Sequence, residues 1–390
     1  MALKLITAGE SHGPGLTCLV EGLPAGLELD REAIDRDMAR RQLGHGRGGR
    51  MKIETDRAYV TAGVRHGRTL GGPIALQIAN RDFTNWEERM NPWPVEADVP
   101  EVHLPRPGHA DLVGAWKYGF TDVRNVLERA SARETAARVA GGAVCRAYLA
   151  ALGVEIRSHV LQIGTEKAAE RGAPLTVADF AAVDEDPVRC LDPDASHAMV
   201  QHINVQRKAN ESIGGVFEVI VFGVVPGLGS HVSWEERLDG RLAQAICSIQ
   251  AVKGVTLGEA FEIAAKPGSE AHDEIFYSDE RGYYRETNRA GGLEGGMTTG
   301  EPLLIRGAMK PLPTLTQPLR SVDIATREPA QALRERTDSS TVPAAGVVAE
   351  AMVALVVADA YREKFGGDHI DDTRAALSSY CERIGWRARS

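Results

Sequence analysis

Two short loops of the sequence each carry a histidine among small and polar residues. His12 lies in G-E-S-H-G-P-G, and His109 lies in R-P-G-H-A-D. A histidine in a glycine-containing loop can reach a ligand, and it titrates near neutral pH, as a general acid requires. Two other interpretations stay open. The histidines could be structural, as lone histidines usually are, or they could belong to a metal site, although the spacings that suggest one are common by chance. The metal ligands would be Glu10, His12, His109 and Asp111.

An arginine-rich loop follows the first predicted helix. Its glycines, Gly44, Gly46 and Gly49, match the pattern G-x-G-x-x-G. That dinucleotide-binding fingerprint requires a strand before it and a helix after it, whereas here a helix precedes it and a strand, predicted at 51–53, follows. The loop instead predicts a clamp for a polyanionic small molecule, with a solvated basic turn as the alternative. The clamp would consist of Arg41, Arg47 and Arg50.

Two segments near the C-terminal end could bind a phosphorylated cofactor. Lys310 to Thr314 reads K-P-L-P-T, a turn made rigid by its prolines. Arg336 to Asp338 reads R-T-D and leads through T-V-P-A-A-G into a predicted helix. One cofactor phosphate would explain both segments jointly, whereas the alternative is a set of unrelated surface turns. The phosphate would contact Lys310, Thr314, Arg336 and the start of another helix at Ser131.

The helix predicted after Ser131 would position these groups. Ser131 and Glu134 form the pattern of a capping box, so we expect the helix to begin near Ala132. Small residues recur on one of its faces, which lets other backbones approach closely and predicts a place in the centre of the molecule. They are Ala136, Ala140, Ala143 and Ala147. Arg129 and Arg133 flank its N-terminus, a combination that suits a phosphate or carboxylate, unless both arginines are simply solvated.

Composition and charge limit the classes of protein. The chain has 390 residues and a formal net charge of -9, which argues against a general nucleic-acid binder. Its five cysteines are scattered without C-x-x-C spacing, which favours reduced thiols in a cytosol. We expect no signal peptide, because Lys4, Glu10 and His12 interrupt the N-terminus. The apolar run 342–358 contains Glu350 and predicts a buried helix, so we expect a cytoplasmic protein without a membrane span.

An internal repeat predicts the architecture. Residues 1–150 and 200–390 share an order of strand, Gly-Pro turn, helix, strand and T-x-G-x-P strand, although common turn chemistry could produce the same match. We predict an α+β fold with a single domain over 1–390. Its two pseudo-repeated halves, each with a largely antiparallel sheet, would form a β-α-β sandwich around the Ala-rich helix. The acidic residues 164–196 would form a variable surface excursion.

The second half carries three elements that the structure can check individually. We predict a strand at 215–224 and a helix at 234–252, on the basis of their apolar patterns. We predict a further strand at 257–265.

Nine stretches of sequence, in order and spread over most of the chain, carry a resemblance to a known family. They are T-A-G-E-S-H-G (7–13), R-R-Q-L-G-H-G-R-G-G-R-M (40–51), G-V-R-H-G-R-T-L-G-G-P-I (63–74), R-P-G-H-A-D (106–111), E-R-A-S-A-R-E-T-A-A-R-V (128–139), S-I-Q-A-V-K-G (248–254), N-R-A-G-G-L-E-G-G-M (288–297), M-K-P-L-P-T (309–314) and V-P-A-A-G-V-V (342–348). In these stretches the chain resembles chorismate synthase. His45 is a departure, since relatives commonly carry tyrosine there.

The resemblance implies a lyase of the shikimate pathway of aromatic amino acid biosynthesis. Such an enzyme converts 5-enolpyruvylshikimate 3-phosphate to chorismate by 1,4-elimination of phosphate, and it needs reduced FMN although the reaction has no net redox change. His12 matches the histidine that would give a proton to the leaving phosphate. His109 matches the one that would protonate the reduced flavin, and Asp338 matches a carboxylate near flavin N5.

The resemblance also implies binding residues and an assembly. The substrate would be held by Arg41, Arg47, Arg50, Arg106 and Arg133. The flavin would be contacted by Arg129, Ala130, Ser131, Gln250, Ala251, Gly295, Lys310, Pro311, Leu312, Pro313, Thr314 and Arg336. The family fold is a β-α-β sandwich, and the assembly is a homotetramer.

Two other classes of function stay open. A flavin reductase that uses NADPH would need a site for the pyridine nucleotide, and some family members have this second activity. The chain lacks a Rossmann context, so we expect an external source of reduced flavin. A non-catalytic phosphate-binding protein would keep the arginines but would not need the two histidines and Asp338.

Overall fold

The computed structural model describes residues 3–48, 54–169, 173–335 and 338–387, so the strand predicted at 51–53 lies outside the described residues. The helices within these ranges are α1 (Arg31–Gln42), α2 (Asp111–Tyr118), α3 (Arg124–Ala130), α4 (Thr135–Ala150), α5 (Pro193–Lys208), α6 (Leu238–Cys247), α7 (Ala260–Ala264), α8 (Gly268–Ala271), α9 (Val342–Phe365) and α10 (Ile370–Ile384).

The strands are short and all of their pairings are antiparallel within the described ranges. They are β1 (Lys4–Ala8), β2 (Gly15–Glu21), β3 (Tyr59–Ala62), β4 (Val64–Arg65), β5 (Arg68–Thr69), β6 (Ile74–Ala79), β7 (Glu155–Ile163), β8 (Glu166–Lys167), β9 (Gly215–Phe222), β10 (Val252–Leu257), β11 (Phe276–Ser278), β12 (Gly282–Tyr284), β13 (Leu293–Glu294), β14 (Met297–Thr298), β15 (Leu303–Met309), β16 (Arg320–Val322) and β17 (Pro329–Gln331).

Two sheets form the outer layers of the fold. The first sheet has the order β1-β2-β6-β3, and the second has the order β10-β15-β9-β7-β8. Read from β7, the second sheet runs β7-β9-β15-β10, which repeats the order of the first. In each sheet one helix, α1 or α6, follows the second strand, and the long helices α4 and α9 follow the fourth. This matching order is what an internal duplication would produce, and it supports that inference.

The α+β class is confirmed, with helices packed between the two sheets. Helix α4 contacts β1, β2 and β6 of the first sheet, whereas α9 contacts β7 and β9 of the second, and α4 and α9 pack on each other. Glycines make this close packing possible. A Cβ on Gly142 would lie 2.3 Å from the Cβ of Ala351 in α9, and a Cβ on Gly141 would lie 2.8 Å from the Sγ of Cys18 in β2. The Ala-rich helix therefore lies in the centre, as predicted.

The bounds of the second half differ from those expected. The first strand of the second sheet, β7, precedes the segment 164–196, so this half begins earlier than about residue 200. The strand predicted at 215–224 is confirmed as β9. The helix predicted at 234–252 is shorter, because α6 ends at Cys247 and is preceded by a single 3-10 turn. The strand predicted at 257–265 is wrong, since its Ala- and Glu-rich sequence forms helix α7 instead.

Helix α9 is apolar but carries one acidic side chain in its centre. The helix is long and apolar enough to cross a membrane, yet most of its apolar stretch is buried against the rest of the chain, as the sequence predicted. Glu350 is fully buried and accepts hydrogen bonds from Arg40 of α1 and Arg146 of α4, each at 2.8 Å. It therefore links the helices of the central layer.

Candidate active site

The N-terminal turns of α4 and α9 line one cavity of about 430 Å³. Its volume lies in the range of small-molecule sites. Thr135 of α4 and both Ala344 and Ala345 of α9 form part of its wall. Because each helix directs the positive end of its dipole toward its N-terminus, the cavity favours anions.

Most of the residues predicted for the site line this cavity. Of the proposed catalytic and substrate-binding residues, the cavity is lined by His12, His109, Asp338, Arg41, Arg47, Arg106 and Arg133. Of the proposed flavin contacts, it is lined by Ala130, Ser131, Gln250, Ala251, Lys310, Leu312, Pro313 and Thr314. Arg129, Gly295 and Pro311 do not line it, and Arg50 and Arg336 lie outside the described residues.

The loop that carries His12 joins β1 to β2 and is fixed by its backbone. Asn80, at the end of β6, donates from Nδ2 to the carbonyls of Glu10 at 3.1 Å and Gly13 at 2.8 Å. The Ser11 N–H donates to the Glu128 carbonyl at 3.1 Å. Gly9 has φ +110°, and a Cβ there would lie 2.4 Å from the Gly15 carbonyl, so the tight loop requires glycine. His12 is thus presented on a rigid loop.

The His12 ring contacts a buried carboxylate and an aromatic ring. Its Nδ1 lies 3.0 Å from Glu128 Oε1, and its backbone N–H donates to Glu128 Oε2 at 2.8 Å. The ring stacks on Trp86 with centroids 4.0 Å apart. Burial raises the pKa of Glu128, but the hydrogen bonds and charge of His12, aided by Arg124, outweigh burial and hold that pKa below its usual value. Glu128 is therefore an anion at neutral pH.

His109 also contacts a carboxylate, that of Asp111 instead of Glu128. Its Nδ1 lies 2.6 Å from Oδ1 of Asp111, and this carboxylate accepts from Arg106 Nε at 2.9 Å. Burial raises the pKa of Asp111, but the hydrogen bonds of His109 and Arg106 outweigh it and hold the pKa well below its usual range. Arg106 also donates to Thr314 Oγ1 at 3.0 Å, which joins this cluster to the K-P-L-P-T turn.

Arg41 and Arg133 share one buried carboxylate, that of Asp56. Arg133 Nη1 donates to both Asp56 oxygens at 2.6 and 2.7 Å, and Arg41 Nη2 donates to Oδ2. Burial lowers the pKa of Arg41 to about 10 despite the attraction of Asp56, with Arg133 and Arg47 adding to the decrease. Arg41 Nε and Arg133 Nη2 are buried without a hydrogen-bond partner among the described residues. Such donors favour an anionic ligand.

Asp338 lies between the arginine loop and the start of α9. Its Oδ2 is 3.2 Å from Arg47 Nη1, and its Oδ1 accepts from the backbone N–H of Gly48. The sequence segments around residues 47 and 338 therefore meet at the cavity, although they are far apart in the chain.

The segments predicted to bind flavin meet along one wall. Lys310 donates from its backbone N–H to the Ala251 carbonyl at 3.0 Å, and its Nζ donates to the Gly108 carbonyl. Ala251 has φ +67°, a conformation that non-glycine residues rarely adopt and that recurs at functional sites. Gln250 donates to Glu134 at 3.0 Å, whereas its Oε1 is buried without a hydrogen-bond partner among the described residues.

Arg129 and Gly295 have other surroundings. Arg129 Nη2 donates to the Thr7 carbonyl and hydroxyl, both at 2.8 Å, so its side chain extends along β1 instead of into the cavity. Gly295 lies in the turn between β13 and β14 with φ +57°. Their assignment to flavin binding stays a prediction.

The predicted capping box at Ser131 is wrong in detail. Ser131 Oγ accepts from Arg133 N at 3.3 Å, and Ala132–Glu134 forms a 3-10 turn before α4 begins at Thr135. Glu134 bonds to Thr7, at 2.6 Å, instead of returning to the Ser131 backbone. Tertiary partners have replaced the local cap, because Glu134 is buried against β1.

The roles of several residues that hold the site were missed in the sequence, where Asp111 was considered only as a possible metal ligand. Asp111 was visible in R-P-G-H-A-D, two residues from His109, and Glu128 precedes the Arg129–Ser131 segment. The spacing in the helix places Glu128 one turn after Arg124, a pattern that indicates an ion pair. Asp56 and Trp86 have no local signal, because their partners come from distant segments.

Among the described residues, no three His, Cys, Asp or Glu side chains gather in a metal-binding arrangement. Another hollow, of about 360 Å³, lies beside α8 and β11, just after the end of α7. It is lined by Lys266, Ser269, Glu270, His272, Glu274, Phe276, Glu286, Thr287 and Arg289. None of the predicted site residues lines this second hollow.

Known proteins resemble this chain over its full length. A family model described as chorismate synthase matches residues 3–361. The chorismate synthase of Rubrobacter xylanophilus is 55% identical over 391 aligned positions, which cover 100% of this chain and 99% of that protein. The chorismate synthase of Thermobifida fusca is 52% identical over 390 positions, covering 98% and 99%.

A solved structure agrees with these matches. A crystal structure of chorismate synthase aligns with a TM-score of 0.78 at 40% sequence identity, covering 98% of each chain. The full-length identity and the shared fold together decide the assignment: the chain belongs to the chorismate synthase family.

Proposed function

We propose that the cavity at the starts of α4 and α9 carries out the 1,4-elimination of phosphate from 5-enolpyruvylshikimate 3-phosphate, giving chorismate, with reduced FMN as the cofactor. The main support for this proposal is that two histidines, each in contact with a carboxylate, and several buried arginines line the same cavity. In this reaction a C–O bond to phosphate and a C–H bond break, a C=C bond forms, and phosphate and a proton leave.

The substrate's carboxylates and phosphate would bind to the buried arginines. Arg41 Nε and Arg133 Nη2 are buried donors without a hydrogen-bond partner among the described residues, and both side chains line the cavity. A bound anion would satisfy them, with the two helix N-termini adding favourable charge. Because Asp56 is shared by both arginines, their orientation is fixed before a ligand arrives.

Reduced FMN fits the wall that carries Gln250 and Lys310. The unpaired Gln250 Oε1 can accept from a flavin N–H, and Lys310 supplies a cation for an anionic group. Apolar side chains beside them suit a flat ring system, and they include Ile249, Met309, Leu312 and Val348. When bound, reduced FMN supplies electron density to the allylic system as phosphate leaves.

His12, His109 and Asp338 would move protons at this site. His12 uses Nδ1 toward Glu128, so its Nε2 is the nitrogen that can donate to the leaving phosphate. His109 would protonate the bound reduced flavin, and Asp338 would exchange a proton with it. Each of the three groups has its own charged partner in the structure: Glu128 for His12, Asp111 for His109 and Arg47 for Asp338.

The same proposal includes the location, the assembly and the flavin source of the enzyme. We expect a cytoplasmic homotetramer that receives reduced flavin from an external source. The outer face of the first sheet supports assembly through sheets, because it exposes the apolar side chains of Ile6, Leu19 and Tyr59. Light scattering that reports a monomer at micromolar concentration would contradict the tetramer.

Anaerobic turnover tests the function directly. The protein is mixed with substrate and chemically reduced FMN, and chorismate and phosphate are quantified. We expect many turnovers per enzyme without consumption of the reduced flavin. Absence of chorismate overturns the proposal and favours a non-catalytic phosphate-binding protein. Chorismate formed from oxidised FMN and NADPH alone would instead reveal an intrinsic reductase activity.

A further inference from the structure

Glu128 lies behind His12 and outside the cavity. Its side chain is 1% exposed, and it is absent from the cavity wall that His12 helps to form. It accepts from the His12 backbone at 2.8 Å and lies 3.0 Å and 3.1 Å from Nδ1 through its two oxygens. Glu128 therefore contacts the histidine at its backbone and its ring, without a path to a ligand.

The charge on Glu128 is fixed by a second contact. Arg124, one turn earlier in α3, donates to Oε1 at 2.9 Å, and Glu335 lies 3.4 Å from the same arginine. A carboxylate can only accept hydrogen bonds. His12 must therefore be the donor at Nδ1, in its neutral or its cationic form, and this leaves Nε2 for the cavity.

Trp86 limits rotation of the His12 ring by stacking on one of its faces. The Trp86 and His12 rings are stacked at 4.0 Å with an angle of 25° between their planes. The Arg124 guanidinium also lies 5.0 Å from the Trp86 centroid, so Trp86 and Glu128 are tied to the same residue. The ring is held both at one edge and on one face, which defines its orientation.

We propose that Glu128 is a positioning residue for the elimination: it keeps Nδ1 of His12 protonated and presents Nε2 to the ligand cavity. The inference rests on the proposed role of His12 as the acid for the leaving phosphate. Glu128 acts only through His12 and does not contact the substrate itself.

The chain offers a matched control for this carboxylate. Glu218 in β9 is also buried, lies 3.1 Å from His159 Nε2 and accepts from Arg306 at 2.8 Å. It therefore repeats the carboxylate, histidine and arginine combination away from the cavity. Glu128→Gln and Glu218→Gln remove the same charge in similar surroundings.

The first experiment is nitrogen NMR of the ligand-free protein labelled at histidine. The His12 signals are identified by their loss in His12→Asn. We expect Nδ1 of His12 to be protonated near neutral pH in the wild type, and to lose this preference in Glu128→Gln but not in Glu218→Gln. An unprotonated Nδ1 in the wild type overturns the proposal without requiring any variant to fold.

The second experiment measures kcat and KM anaerobically with reduced FMN. Glu128→Gln should lower kcat roughly 10- to 100-fold with KM for the substrate little changed. Glu218→Gln should retain wild-type kcat. In a His12→Ala background, Glu128→Gln should have no further effect, since its action requires the histidine.

The outcomes separate this proposal from the proposed function. A wild type that makes no chorismate defeats both, whereas an active wild type with an unchanged kcat in Glu128→Gln defeats the positioning role alone. An additional loss of kcat in the His12→Ala background also defeats it. Recovery of kcat in Glu128→Asp, relative to Glu128→Gln, supports the need for a carboxylate.

Discussion

At the scale of single residues, buried carboxylates fix two histidines and two arginines of the cavity. Glu128 contacts His12, Asp111 contacts His109, and Asp56 contacts both Arg41 and Arg133. These carboxylates set ring tautomers and guanidinium orientations before a ligand binds, which reduces the entropy that binding must overcome. The sequence motifs predicted the histidines and arginines. The carboxylates were harder to predict, because two of the three come from other segments of the chain.

The two histidines should be needed for turnover but not for folding. We expect Ala or Asn at either position to lower kcat by roughly 10²–10⁴, because each removes a proposed proton donor of the transition state. KM should change little. The measurement is anaerobic turnover with reduced FMN, alongside circular dichroism to confirm the fold.

The double variant tests whether the histidines act separately. His12 and His109 have different carboxylate partners, so their losses should add in free energy. A double variant no worse than either single variant would indicate a shared proton or a shared metal. Activity that a chelator abolishes and added metal restores would contradict the assignment as acids.

Lys310 should contribute to flavin affinity. Its ammonium group lines the cavity, and a charge-assisted hydrogen bond is worth on the order of 1.5–3 kcal/mol. We expect Lys310→Ala to weaken FMN binding roughly tenfold or more, as measured by fluorescence titration. Lys266→Ala, in the second hollow, is the matched control and should leave affinity unchanged. Equal FMN affinity in the wild type and in Lys310→Ala would show that Lys310 does not contribute to flavin binding. Arg336→Ala carries the same expectation from the sequence alone.

At the scale of elements, the centre of the molecule depends on how closely α4 approaches its neighbours. The alanine stripe predicted this proximity, but it could not identify the neighbours. The structure shows that adjacent glycines face opposite layers, with Gly141 against the first sheet and Gly142 against α9. The N-termini of both long helices reach the cavity, so their packing also sets the geometry of the site.

Gly142→Ala should destabilise the protein although alanine favours helices. Its Cβ would lie 2.3 Å from the Cβ of Ala351, and overpacking of this kind costs about 1–3 kcal/mol. Gly240 in α6 has no neighbouring atom within 4 Å of such a Cβ, so Gly240→Ala should be neutral or stabilising by up to about 1 kcal/mol. Urea unfolding of both variants distinguishes the effects. A stabilised Gly142→Ala would show that α4 and α9 are less closely packed.

Glu350 should make stability depend on acid pH. Burial raises its pKa, but Arg40, Arg146 and Arg189 outweigh burial and hold the pKa well below its usual range. A carboxyl with a depressed folded-state pKa stabilises the protein above its unfolded-state pKa, about 4.3, and loses this effect as pH falls toward the folded-state pKa.

We therefore expect the free energy of unfolding to fall with acidification below about pH 4.3. Glu350→Gln should flatten that dependence and should cost about 3–5 kcal/mol at neutral pH, because it leaves buried arginines without their charge partner. Urea unfolding at several pH values measures both effects. If Glu350→Gln leaves the acid dependence of the unfolding free energy unchanged, that dependence arises from other carboxyls, such as Asp56 and Glu128.

At the scale of the whole molecule, the order of helices and strands along the chain was easier to predict than the pairing between strands. Glycine-proline turns and apolar patterns predicted the strand β9 and the α+β class. They could not predict that β7 pairs with β9, because pairing between distant strands leaves no local pattern. The strand predicted at 257–265 failed because a short apolar run fits a helix as well as a strand. The cavity follows from this topology, since its wall draws on segments from residue 11 to residue 348.

The most direct test of the account is a crystal structure of the protein with FMN and 5-enolpyruvylshikimate 3-phosphate. We expect both molecules in the cavity between the starts of α4 and α9. The substrate phosphate should lie within hydrogen-bond distance of His12 Nε2, and the flavin should lie along Gln250 and Lys310. Substrate phosphate that contacts neither His12 nor the buried arginines, or ligands bound in the hollow beside α7 and α8, would contradict the central claim.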